Sequence, residues 1–104
     1  MVLYKAPNSD NYLSKDSHVV GTTAVRLLGA NKDRAGYRVH SSKSNIDLVW
    51  HGQDNEVSSS SLDQISPGGV LKDEGEWYTI YRGEVWAIAG SANQIVYTEE
   101  IVRG

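Results

Sequence analysis

The sequence has no cysteine and no phenylalanine, a single methionine and only two prolines. Without cysteine there can be no disulfide and no thiolate metal ligand, so noncovalent forces must hold the chain together. Without phenylalanine, the aromatic load falls on three Trp and six Tyr. These rings have polar tips and suit half-buried strand positions and interfaces. Long apolar runs are missing too. None approaches the ~20 residues a membrane helix needs, so no membrane span is expected. The opening MVLYKAPNSDNYLSKDS lacks a basic segment followed by an apolar one, and it starts with Met1. Neither a secretory signal nor a chain already trimmed of one is expected. Positive charge is also scarce: 10 basic residues face 13 acidic ones, for a net charge of -3. The densest basic group, Arg34, Arg38 and Lys43, is diluted by Asp33 and Asp47. That is not the electrostatic footprint of a nucleic-acid binder, and no such partner is expected.

What remains fits one small globular domain. A chain of 104 residues with 39% hydrophobic and 22% charged content can bury roughly 65% of its unfolded surface, enough for a single core. Period-two alternation dominates. His18 to Leu28 places Val19, Thr23, Val25 and Leu27 on one phase, with Gly21 marking a bend or bulge. Further strands are predicted at 37–41, 46–51, 62–65, 70–72, 76–81, 84–89 and 94–102, separated by turns about every ten residues. Ser66-Pro67-Gly68-Gly69 is a turn with a mechanism, since Pro presets φ and the next Gly accepts a positive one. No segment carries a 3.6-residue apolar stripe. The pattern predicts an all-β fold: a small antiparallel β-sandwich or barrel of seven to eight strands. Residues 1–16 read differently. They are turn-rich, with Leu3, Tyr4, Tyr12 and Leu13 as isolated apolar anchors. They are expected to form an extended N-terminal arm to a domain over 17–104, and those four anchors are its candidate interface residues. Residues 52–61, GQDNEVSSSS, form a polar loop longer than a hairpin needs.

The search for chemistry gives little. A zinc site needs three or four converging ligands, often with a closely spaced pair, whereas His18, His40 and His51 are widely separated. Convergence of His40 and His51 with Asp47 or Asp54 is the one arrangement to weigh, and no metal or cofactor is expected. Glu74, Glu76 and Glu84 could supply the two flanking carboxyls of a glycosidase, but they bracket turns in a chain too small for a deep cleft. Ser91 follows Gly90 in a plain turn, with no nucleophile motif around it. Gly68-Gly69 belongs to no phosphate-binding pattern. An enzyme is therefore not expected. Aromatic residues on strands could instead stack a sugar or line an interface. Trp50, Trp77 and Tyr81 are the candidates, with Tyr78 and Trp86 nearby.

Two segments, Val19 to Trp50 and Ile65 to Ile101, resemble small β-sandwich structural proteins encoded in the morphogenesis regions of tailed bacteriophages. The matching residues are Gly21-Thr22-Thr23-Ala24-Val25-Arg26-Leu27, Ala30-Asn31 with Arg34, and Asn45 with Leu48 and Trp50. Ile65-Ser66-Pro67-Gly68-Gly69 and Gly83-Glu84-Val85-Trp86-Ala87-Ile88 complete them. These are turn and core signatures, and the polar loop and the N-terminal arm depart from the pattern. The resemblance implies a virion component, made in the host cytoplasm. In this reading it is a capsid decoration (cement) protein that docks on the major capsid protein or other virion proteins through its sandwich surface and arm. It implies no catalytic residue. Homo-oligomerisation, for example as a trimer, is compatible with it but encoded by no motif. The alternative is a carbohydrate- or receptor-binding module of a phage fibre.

Overall fold

The computed structural model describes residues 2–5, 12–61, 64–69 and 81–103. Eight strands occur among them: β1 (Val2–Lys5), β2 (Tyr12–Val20), β3 (Val25–Leu28), β4 (Arg34–Ser41), β5 (Val49–Gly52), β6 (Gln64–Ile65), β7 (Val85–Ala89) and β8 (Gln94–Val102). They form two four-stranded sheets. The N-terminal sheet has the order β1-β2-β8-β4 and the companion sheet β3-β7-β5-β6, and every neighbouring pair is antiparallel. The expected all-β fold is present, and of the two forms considered it is the sandwich. The strands expected at 70–72 and 76–80 lie outside the described residues, as do Trp77 and Tyr78.

The layers meet through alternate side chains. Val20, Val39 and Val96 from the N-terminal sheet pack with Leu27, Val49, Ile65, Val85, Ala87 and Ala89 from the companion, all at most 5% exposed. Among the described residues Tyr37 is the one large ring in the buried core. Small β-branched residues suit a thin sandwich, because each fills its space with one stiff rotamer.

The run 18–28, read as one bent strand, is divided between the two sheets. β2 ends at Val20 and β3 starts at Val25 in the other layer. Gly21 lies at the corner, where its carbonyl accepts from Ala89 N at 2.7 Å. The inward phase changes there. Val20 is fully buried while Val19 is 61% exposed, yet Leu27 is buried beyond the corner. An alternation counted straight through Gly21 therefore puts Val19 on the wrong side.

The segment expected to be an extended arm is strand in its described part. β1 pairs with β2 from Val2↔Lys15 to Lys5↔Tyr12. β2 in turn pairs along its whole length with β8, from Tyr12↔Val102 to Val20↔Gln94. The sheet thus extends through residues assigned to the arm.

Turn chemistry holds the corners. Gly69 N donates to Ser66 O at 2.7 Å, and Gly68 has φ +78°, as the Pro-Gly order predicts. In the polar loop, Asp54 Oδ1 accepts from Glu56 N (2.9 Å) and Ser61 Oγ from Ser58 N (3.1 Å). Val57 folds back to 6% exposure. The loop is an organised excursion pinned by one valine.

Candidate functional site

The outer face of the N-terminal sheet gathers chemistry that alternation alone did not single out. In β8, Gln94, Val96, Thr98 and Glu100 are buried, which leaves Ile95, Tyr97, Glu99 and Ile101 on the other phase. Register then builds the rungs of that face. Lys15 lies opposite Glu99, which lies opposite Arg38. Ser17 lies opposite Tyr97, which lies opposite His40, and Val19 lies opposite Ile95.

Glu99 is the centre. Its Oε1 accepts from Arg38 Nη2 at 2.8 Å and from His40 Nε2 at 2.6 Å. Burial by itself would raise its pKa, but the hydrogen bonds from Arg38 and then His40 outweigh it and hold the carboxyl below its ordinary value. Glu99 is thus a fixed carboxylate on an open sheet surface. Beside it is a cleft of about 390 Å³ whose lining includes Lys15, His40, Ser42, Lys43, Tyr97 and Glu99. Tyr97 is 45% exposed there. The Ser66–Gly69 turn closes one side, because Gly68 N donates to Ser41 O (3.1 Å) and Gly69 O accepts from Ser41 N (2.9 Å). The Tyr97–Glu99 pair was readable in principle, since the two share the phase opposite to Val96 and Thr98. What was hidden was that β4 lies alongside and contributes Arg38 and His40.

The expected interface anchors come together at the other edge of the same sheet. Register sets Tyr4 opposite Leu13, Leu3 opposite Ser14, and Lys5 opposite Tyr12. Tyr12 is 40% exposed and Leu13 half-buried. β1 is the outermost strand, with β2 as its one strand partner among the described residues.

The aromatic candidates separate. Trp50 is half-buried on the outer phase of β5, opposite Ile88. Trp86 lies opposite Gly52, so the two indoles are diagonal neighbours on one face. Trp86 Nε1 donates to Glu84 Oε1 at 3.1 Å. This bond, followed by the one from Arg26, holds the Glu84 carboxyl below its usual value. Trp77 lies outside the described residues. Tyr81, expected as a surface aromatic, packs against the core edge-on to Tyr37, with ring centroids 6.4 Å apart. Its hydroxyl donates to Glu84 O at 2.6 Å.

Arg34, counted with the surface bases from the sequence, is fully buried. A bulge between Arg34 and Gly36 turns its side chain inward. Nε donates to Glu100 Oε2 (2.7 Å), Nη1 to Gly83 O (2.8 Å) and Nη2 to Gly29 O (2.6 Å). The guanidinium also lies 5.5 Å from the Tyr37 ring centroid. Arg34 is a structural tie, which removes it from any basic surface patch.

The metal arrangement weighed from the sequence does not assemble. His40 projects from the outer face of the N-terminal sheet, whereas His51 is buried in the companion sheet. Among the described residues no group of three or more His, Asp or Glu is placed to hold a metal ion. Ser91 Oγ donates to Asp47 Oδ2 at 2.6 Å, and Leu48 N to Asp47 Oδ1 at 2.8 Å. These bonds, the Ser91 one foremost, keep the Asp47 carboxyl below its ordinary value and cap a corner. Glu74 and Glu76 lie outside the described residues. No helix among those residues is long and apolar enough to cross a membrane.

Comparison with protein-family models, with curated proteins and with solved structures finds no match to this chain.

Proposed function

We propose that this chain works by docking and not by turnover, as a virion structural protein of the capsid-decoration kind. Its N-terminal strands seat against the major capsid protein. The observation that carries the reading is the placement of Leu3, Tyr4, Tyr12 and Leu13 on paired strands at the open margin of a four-stranded sheet. An outermost strand presents a row of backbone donors and acceptors ready to pair with another chain. Apolar residues at the same margin add the contact area that backbone pairing lacks. A shell repeats its binding site many times, so a small rigid body with modest single-site affinity can still occupy it fully. The resemblance in the turn and core residues points the same way, towards a sandwich used as a building piece.

The test mixes the purified chain with shells from particles that lack it and follows co-sedimentation. Saturable binding by the full chain is expected. Binding should be lost in a variant lacking residues 1–11, which removes β1 and leaves β2 in place. No saturable binding, or equal binding by the shortened variant, overturns the reading.

A further inference from the structure

We propose that the cleft around Tyr97 and Glu99 is a saccharide-binding site that takes one pyranose ring of a surface glycan. This inference stands whether or not the chain docks on a shell. The docking margin is β1, whereas Tyr97 and Glu99 stand on β8, two strands across the sheet, with His40 on β4 beyond it.

A pyranose presents two chemistries at once, an apolar C–H face and an edge of adjacent hydroxyls that both donate and accept. Tyr97 supplies the counterpart to the first. It is a flat ring, 45% exposed, standing on the central strand β8 and flanked by Ser17 and His40. Glu99 supplies the second. Its Oε1 is already engaged by Arg38 and His40, and that double clamp fixes the direction of the carboxylate. The other oxygen, Oε2, can then accept from sugar hydroxyls with little side-chain entropy left to lose. Lys15 and Lys43 line the same cleft with ammonium donors, and Ser42 adds a hydroxyl. A volume of about 390 Å³ suits one sugar ring and is small for a folded partner.

The charge balance separates a sugar from a nucleotide. A stacked base would bring phosphate beside Glu99, on a chain with net charge -3. A sugar uses the carboxylate and the ammonium groups together. The rings of Trp50 and Trp86 lie on the other sheet, where Glu84 and Arg26 beside Trp86 are bonded to each other and, among the described residues, no cleft is found.

The experiment titrates the isotope-labelled full chain with the methyl glycosides of glucose, galactose, N-acetylglucosamine and glucuronic acid, following amide resonances by NMR. The expected result is saturable movement of the amides of residues 40–43, 68 and 97–99 with at least one of these sugars. Tyr97→Ala should weaken that binding about tenfold or more, as loss of one stacked ring implies. Tyr97→Trp should retain it. Tyr97 is exposed, so both variants should keep the wild-type spectrum away from the cleft, which separates lost binding from lost folding. If none of the four sugars moves the cleft amides, or if Tyr97→Ala binds as the wild type does, the site is not a saccharide site.

Discussion

Arg34 shows how far one side chain can carry the arrangement. It is completely buried and positively charged, with its donors aimed at Glu100 and at the carbonyls of Gly29 and Gly83. Its own carbonyl accepts from Arg82 Nε at 2.9 Å. Removing one partner of such a pair leaves the others desolvated and unanswered, a loss of about 3–5 kcal/mol. Arg34→Ala is expected to lower stability by about that amount in urea unfolding. Arg34→Lys should recover only part, because an ammonium cannot reproduce the planar fork that serves three acceptors. The pattern Ala30-Asn31 with Arg34 was legible in the sequence as a motif. Its burial was not, since Arg34 falls in the polar stretch before the strand predicted at 37–41, where an arginine ordinarily faces solvent. The bulge beside Ala35 turns it inward, and nothing in the local residue types announces it.

At the scale of elements, the parts that read correctly had strong alternation between clear turns. β8 occupies 94–102 as predicted, and the Ser66–Gly69 turn has the geometry its residues imply. β2 was missed over residues 12–16 because its one buried position there is Ser14, while Lys15 and Asp16 are both exposed. Ser14 is buried near Glu100 at the polar end of the interior. A strand that is polar on both phases gives no period-two signal. The candidate site depended on the same information. Tyr97 and Glu99 share a phase in one strand, but Arg38, His40 and Lys15 reach them only through long-range pairing. Asn45 offers a further example. Its side chain accepts from Ile95 N (2.7 Å) and donates to Ile95 O (2.7 Å) and Ser41 Oγ (2.8 Å). One side-chain amide thus imitates the next residue of β4. Asn45→Ala would leave Ile95 N without its acceptor, while Ile95 O keeps the bond from Ser42 N at 3.0 Å, and should cost about 1–2 kcal/mol. Faster amide exchange at Ile95, with the far end of β8 unchanged, is the measurement that checks it.

Two groups on the N-terminal sheet bear on the behaviour of the whole molecule towards acid. Burial holds the His18 pKa below 6.5, against an opposing pull from Asp16, while its ring bonds Thr98 Oγ1 at 3.0 Å. The unfolded chain therefore takes up this proton before the folded one does. The stability contributed by neutral His18 is complete above pH 6.5 and is lost as pH falls through the lower folded value. Glu99 acts in the same direction further down. Its folded pKa lies below 4.5, so its contribution is complete above that pH and disappears on acidification through the folded value. The urea midpoint should accordingly fall in two stages, one beginning near pH 6.5 and one below pH 4.5. His18→Gln should flatten the first stage, and Glu99→Gln should shrink the second, to which the lowered carboxyls of Asp47 and Glu84 also contribute. A midpoint independent of pH between 7 and 5 in the wild type would contradict the role given to His18.

The order of synthesis gives the position of β8 a further meaning. Both neighbours in its sheet, β2 and β4, leave the ribosome more than fifty residues ahead of it. They must wait, edges bare and Arg34 without its counterion, until the intervening chain has been made. Closure of that layer is therefore a late, nearly simultaneous event with few early footholds, as expected when most contacts join distant parts of a chain. A nascent chain halted before Glu100 would be the species most exposed to proteolysis and to pairing with the wrong neighbour.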